Sequence, residues 1–79
     1  HSDEVNFQVT DPKSTIERIA TIFDDATQDR LDGLTVTYPD WWFNLRASNT
    51  EPLLRLNLEA QTEAEMSGKL HLLEELING

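Results

Sequence analysis

The chain contains no cysteine and only six basic residues among its 79 positions. The missing cysteine excludes disulfide bonds, thiolate metal sites and a cysteine nucleophile, and it fits a reducing, cytoplasmic location. No apolar run reaches the roughly 20 residues that a membrane-spanning helix requires, and no signal-peptide pattern opens the chain. We therefore expect a cytoplasmic protein without a membrane partner.

Acidic residues dominate the charge of the chain. Fifteen of them oppose the six basic residues and give a net charge of −9, which repels nucleic acids and anionic membranes over the surface as a whole. Nucleic acid is therefore not expected as a partner. The length predicts a single domain over residues 1–79 that is too small to be a large enzyme by itself. The pair His1-Ser2 is typical of an expression-tag remnant.

Hydrophobic periodicity predicts four strands and two helices. Strand-like alternation surrounds Phe7, Val36, Phe43 and Leu56. The first helix begins at Asp11-Pro12, an N-cap followed by proline, and ends near Asp24 or Asp25. The acidic stretch from Asp24 to Asp32 reads as a solvated linker. A Thr62–Glu65 capping box opens the second helix, and Gly79 ends it.

The order β-α-β-β-β-α predicts an α+β two-layer sandwich, with both helices on one face of a four-stranded, mainly antiparallel sheet. In the third strand, Trp42, Asn44 and Arg46 alternate onto the face opposite Phe43. One of the adjacent tryptophans Trp41 and Trp42 must therefore face away from the helices. Its exposure would favour a contact with a neighbouring domain.

The segment Arg46-Ala-Ser-Asn-Thr-Glu-Pro52 lies between two predicted strands and is rich in hydrogen-bond donors. Arg46 offers a planar fork to two phosphate oxygens, while Ser48, Asn49 and Thr50 each supply one more donor. Successive turn amides can add an anion-binding nest. The same composition is ordinary for a hairpin turn, because these residues bond their own backbone and proline blocks strand pairing. On chemistry alone, both interpretations stay open.

The segment also carries a family resemblance. Together with Asp32-Gly33, Trp42, Leu54-Arg55 and Glu59-Ala60 it resembles the C-terminal domain of the alpha-D-phosphohexomutases, the phosphomannomutase/phosphoglucomutase group. The resemblance implies a fold similar to that of the TATA-binding protein, and a loop that grips the phosphate remote from the reaction.

Site residues follow from the resemblance by position. It implies phosphate binding by Arg46, Ser48, Asn49 and Thr50, and a turn-shaping role for Glu51 and Pro52. Arg55 is a further candidate, because the family tends to carry arginine shortly after the loop; a surface arginine pairing with Glu59 is the alternative.

At the level of the whole enzyme, the resemblance implies phosphoryl transfer between positions 1 and 6 of glucose or mannose phosphate. It implies Mg²⁺ in the full-length enzyme, with no metal and no catalytic residue in this chain. The expected partners are the hexose phosphate and preceding domains of the same protein. The alternative is a freestanding acidic interaction module, in which the loop is only a turn and the tryptophans mark a protein-binding patch.

Overall fold

A computed structural model describes residues 4–79, so His1 and Ser2 lie outside the described residues. The described residues form five strands and two helices. In chain order these are β1 Val5–Gln8, α1 Pro12–Ile22, β2 Thr27–Asp29, β3 Leu34–Tyr38, β4 Trp41–Ala47, β5 Leu53–Ala60 and α2 Glu63–Asn78.

The strands form one antiparallel sheet in the order β1-β5-β4-β3-β2. Strands β2 to β5 are consecutive neighbours, whereas β1 pairs with β5 at the opposite edge. Helix α1 therefore carries the chain from one edge of the sheet to the other. The predicted α+β class, with two helices and an antiparallel sheet, is confirmed.

The hydrophobic core lies between one face of the sheet and both helices. Alternation along β3, β4 and β5 directs every second residue into it. The buried apolar residues are Phe7, Ile16, Ile19, Ala20, Phe23, Leu34, Val36, Trp41, Phe43, Leu45, Leu54, Leu56, Leu58, Leu73 and Ile77. Because both helices cover the same face, the other face of the sheet is left to polar side chains, and we call it the open face.

The helix starts follow the predicted caps. The Asp11 carboxylate accepts a hydrogen bond from the Ser14 amide (3.2 Å), and the Thr62 hydroxyl accepts one from the Glu65 amide (3.1 Å). Helix α1 ends at Ile22, slightly earlier than expected, because the backbone of Phe23 leaves helical geometry (φ −103°, ψ 36°) although its amide still donates to the Ile19 carbonyl (3.1 Å). Gly79 ends α2, as its amide donates to the Glu75 carbonyl (2.8 Å).

The predicted count of four strands is wrong, because β2 lies inside the stretch expected to be a solvated linker. Its residues pair with Thr35, Val36 and Thr37 of β3. The Gln28 side chain donates to two carbonyls at the end of α1, those of Ala20 and Phe23, both at 2.9 Å. A three-residue polar edge strand has no apolar alternation that could have revealed it.

Candidate functional site

Two arginines lie side by side on the open face. Arg46 of β4 is directly opposite Arg55 of β5 in the antiparallel ladder. The predicted bend at 46–52 is shorter than expected, because β4 continues through Ala47 and β5 begins at Leu53, which leaves residues 48–52 as the loop. Arg46 therefore belongs to a strand, on its polar side as predicted. A strand holds its backbone more firmly than a loop would.

Gly33 lies against the stem of the Arg46 side chain. Its φ of +71° is in the left-handed region, and a Cβ there would be 2.4 Å from the Leu45 carbonyl oxygen and 2.6 Å from Arg46 Cγ. Only glycine can adopt this backbone conformation without strain and also fit so close to Leu45 and Arg46 without shifting them. Gly33 thus fixes the path of Arg46, a role that the sequence reasoning missed although the Asp-Gly pair before β3 is a recognisable turn signal.

The loop and both arginines line a shared groove of about 630 Å³. Its lining includes all five predicted phosphate-binding residues: Arg46, Ser48, Asn49, Thr50 and Arg55. A larger groove of about 820 Å³ lies between the start of α1 and the end of α2. We favour the smaller groove as the site, because the guanidinium of the larger one, that of Arg18, is occupied by the carbonyls of Leu76 and Ile77 at the end of α2.

The Ser48 side chain organises the loop. Its Oγ accepts hydrogen bonds from the Thr50 and Glu51 amides, both at 3.3 Å, and the Ser48 amide donates to the Leu53 carbonyl (3.1 Å). The amides of Thr50 and Glu51 are therefore used within the loop. Within residues 4–79, the Asn49 amide, the Asn49 side chain and the Thr50 hydroxyl have no hydrogen-bond partner. These groups are free to donate hydrogen bonds to a ligand.

The turn-shaping role expected of Glu51 and Pro52 is compatible with their contacts. The Glu51 carbonyl accepts a hydrogen bond from the Leu53 amide (2.8 Å), which closes the end of the loop. The Pro52 carbonyl accepts one from the Val9 amide (3.0 Å), which ties the loop to the residue after β1. Both side chains are exposed.

Carboxylates neutralise the arginines in this state. Arg46 contacts Glu4 (Nη2 to Oε2, 3.3 Å) and Asp32 (Nη1 to Oδ2, 3.5 Å), and Arg55 Nη1 lies 3.9 Å from Glu4 Oε1. The Arg46 Nε is buried and has no hydrogen-bond partner among the described residues. A buried donor without an acceptor costs about 1–3 kcal/mol. The carboxylates thus balance the charge of Arg46 but do not satisfy all its donors.

The two tryptophans separate as predicted. Trp42 lies on the open face with 37% of its surface exposed, whereas Trp41 is buried. The Trp41 ring stacks on Tyr38, with 5.4 Å between centroids, and Lys69 Nζ lies 4.6 Å from the Trp41 ring centroid. Trp41 and Tyr38 therefore pack the sheet and do not form an open platform with Trp42.

Other site classes find little support in the part of the chain that the structure describes. Residues 4–79 contain no group of three or more histidine, aspartate or glutamate side chains placed to hold a metal ion. His71 pairs with Glu75 one helical turn later (3.1 Å). Neither of the helices described for residues 4–79 combines the length and apolar character needed to cross a bilayer.

Comparison with known proteins points to one family. The family model described as phosphoglucomutase/phosphomannomutase, C-terminal domain, matches residues 4–71. The phosphomannomutase of Methanocaldococcus jannaschii is 49% identical over 77 residues, which cover 98% of this chain and 17% of that protein. The phosphomannomutase of Salmonella typhimurium is 40% identical over 80 residues, covering 98% of this chain and 18% of that protein.

The phosphohexose mutases of Xanthomonas campestris are 43% identical over 67 residues, which are 82% of this chain and 15% of those proteins. The chain thus spans about a sixth of the length of the curated relatives it matches. Since the family match covers most of the chain, the chain belongs to the phosphoglucomutase/phosphomannomutase C-terminal domain family.

Proposed function

We propose that this chain is the phosphate-anchoring domain of a longer phosphohexomutase. Its groove would bind the phosphate that is not being transferred, on a glucose or mannose phosphate, while the phosphoryl group moves between positions 1 and 6. One observation carries the proposal: Arg46, Arg55 and the free donors of the 48–52 loop line the same groove.

The groove offers the donor chemistry that a phosphate dianion requires. The planar fork of Arg46 fits two phosphate oxygens. Asn49 and the Thr50 hydroxyl have donors to spare, and the Ser48 hydroxyl, which accepts two amide hydrogen bonds, retains its own proton to donate. Each hydrogen bond to a charged group contributes about 1.5–3 kcal/mol. A bidentate contact from Arg46 and two loop donors would outweigh the repulsion from the distant acidic surface.

Arg55 supplies a second positive charge to the groove. It lies opposite Arg46 in the β4–β5 ladder, and its side chain is 44% exposed, so the guanidinium can reach an anion held by Arg46. We propose that Arg55 stabilises the bound phosphate mainly through its charge, with Arg46 giving the directional contact. Substituting Arg55 would then weaken binding less than substituting Arg46.

In the longer enzyme, the domain would orient the substrate and exclude water. Binding energy gained at the remote phosphate holds the reacting end in place, which raises the rate of the chemical step. Closure of the domain over the sugar would also shield the transfer from water. We assign no nucleophile and no acid or base to this chain. We propose that it works in the cytoplasm, beside the preceding domains of its own enzyme.

Mg²⁺ belongs to this proposal only at the level of the longer enzyme. Residues 4–79 do not offer a cluster of three metal-ligating side chains, and we propose no metal-dependent step for this domain. The Mg²⁺ implied by the family resemblance would bind to other parts of the enzyme.

A protein-interaction module is the second candidate function, and the exposure of Trp42 on the open face favours it. An exposed aromatic side chain on an otherwise polar surface is a frequent anchor of protein contacts. The two functions are compatible on one domain, because Trp42 lies in β4 four residues before Arg46 and away from the loop. They differ in what they predict for the loop.

Nuclear magnetic resonance of the isotopically labelled 79-residue chain tests the proposal. Titration with glucose 1-phosphate should shift the amide signals of Ser48, Asn49 and Thr50, while glucose at the same concentration should leave them in place. Arg46→Ala should abolish the shifts. Arg30→Ala removes the same charge from an arginine that is bound to Glu17, and it should leave them intact. Silent loop amides in the unsubstituted chain would favour the interaction module.

A further inference from the structure

The pairing of Arg46 with Arg55 poses an electrostatic problem. Like charges directly opposite one another on an antiparallel pair repel and destabilise the sheet. The Glu4 carboxylate relieves that repulsion, because Oε2 lies 3.3 Å from Arg46 Nη2 and Oε1 lies 3.9 Å from Arg55 Nη1. One carboxylate thus bridges both guanidinium groups.

The backbone places Glu4 at this position. Glu4 directly precedes β1, and β1 pairs with β5 so that Val5 is opposite Leu56. The next residue of β5, Asn57, consequently lies beside Glu4, and Asn57 Nδ2 donates to Glu4 Oε2 (3.5 Å). Three donors from two adjacent strands therefore surround one carboxylate.

Glu4 differs in this respect from Asp32, the other carboxylate near Arg46. Among the charged groups of residues 4–79, Asp32 contacts Arg46 alone, at 3.5 Å, and its side chain is 77% exposed, against 35% for Glu4. Glu4 is the more enclosed of the two, and its bridging position is the one that an external anion would need in order to contact both arginines.

We propose that Glu4 is a positioning residue of the phosphate site, an internal anion that holds Arg46 and Arg55 together until a phosphate group displaces it. This inference rests on the proposed function. Binding becomes an exchange, in which a dianion replaces a single carboxylate and the Glu4 side chain is released from the two arginines. By linkage, whatever moves Glu4 away from the arginines also raises their affinity for phosphate.

Removing the Glu4 charge should therefore strengthen phosphate binding. An exposed ion pair contributes a factor of about 1.4 to 5 to an equilibrium constant, and Glu4 makes two such contacts. Glu4→Gln keeps the size of the side chain, but it removes the charge and replaces one of the two acceptor oxygens with an NH2 donor. We expect its dissociation constant for glucose 1-phosphate to fall by about 2- to 25-fold.

Asp40→Asn is the matched control. It makes the same change in net charge at an exposed turn position at the far end of β4 from Arg46, roughly 20 Å away at the rise of an extended strand. Its dissociation constant should stay within about twofold of the unsubstituted value, because salt screens charges at that distance. A general gain from reduced acidity would instead appear in both variants.

The Asn57 side-chain amide gives a second, spectroscopic readout. In the unsubstituted chain its signals should move as phosphate saturates the site, because Glu4 leaves Asn57 Nδ2. In Glu4→Gln they should move much less. An affinity for Glu4→Gln equal to or weaker than that of the unsubstituted chain, or an unmoved Asn57 amide at saturation, would overturn the role of Glu4.

These outcomes separate the two proposals. Binding that depends on Arg46 but is indifferent to Glu4 retains the proposed function and overturns this inference alone. Absence of loop shifts in every variant, Glu4→Gln included, overturns both.

Discussion

Replacing Gly33 with alanine should destabilise the fold and disturb the phosphate groove at once. The left-handed backbone at Gly33 costs a residue with a Cβ about 1–2 kcal/mol. The new Cβ would also meet the Leu45 carbonyl oxygen at 2.4 Å, a backbone atom that cannot move without shifting β4. Overpacking of this kind costs about 1–3 kcal/mol. We expect the free energy of unfolding to fall by about 2–5 kcal/mol.

Gly68→Ala provides the matched control, since it makes the same chemical change at a position with the opposite environment. Gly68 is an exposed residue of α2, and a Cβ there would meet nothing within 4 Å. Alanine in a helix interior is more stable than glycine by about 0.5–1 kcal/mol. This variant should therefore be slightly more stable than the unsubstituted chain.

Urea unfolding followed by tryptophan fluorescence measures both changes, and thermal unfolding checks them. For a domain of this size, a loss of 2 kcal/mol lowers Tm by about 8 °C or more. Gly33→Ala should also weaken the response of the Asn49 amide to glucose 1-phosphate, because Arg46 Cγ must move aside. Equal stability of the two alanine variants would refute the reasoning on Gly33.

Two further predictions concern the support of the sheet. Burial, with a hydrogen bond to Asp25, raises the pKa of Tyr38 to about 12. The contribution of the protonated Tyr38 side chain to folding stability should therefore be complete below pH about 10 and should disappear as the pH rises towards 12. Tyr38 is the single tyrosine, so ultraviolet titration reads it directly: Asp25→Asn should lower the midpoint, and a midpoint near 10 in the folded, unsubstituted chain would contradict the assignment. Gln28→Ala should cost about 1–2 kcal/mol in urea unfolding because two carbonyls at the end of α1 lose their donor; a cost no larger than that of Thr27→Ala would argue against this role.

The sequence predicts the elements that carry strong periodicity or caps. The alternation along β4 and β5 and the caps at Asp11 and Thr62 correspond closely to the structure. The strand β2 escapes prediction, because its stability comes from pairing with β3 and from a glutamine that reaches back to α1. Neither interaction leaves a local pattern in the sequence.

The residues of the candidate site also fall into those that the sequence reveals and those that it does not. Arg46 and the loop are recognisable from the sequence, because their donors are contiguous. Glu4 is 42 residues away from Arg46 in sequence, and only the pairing of β1 with β5 brings it to the arginines. The loop-organising role of Ser48 likewise depends on the backbone conformation, which composition does not reveal.

We propose that this domain belongs to a longer enzyme. The most direct test of the central claim is to measure the kinetics of that enzyme. Arg46→Ala should lower kcat/KM for glucose 1-phosphate by about 10²- to 10⁴-fold, the equivalent of two charged hydrogen bonds of about 1.5–3 kcal/mol each. Arg30→Ala should leave it within about twofold. An Arg46→Ala enzyme with unchanged kcat/KM would contradict the assignment of this groove as the phosphate anchor.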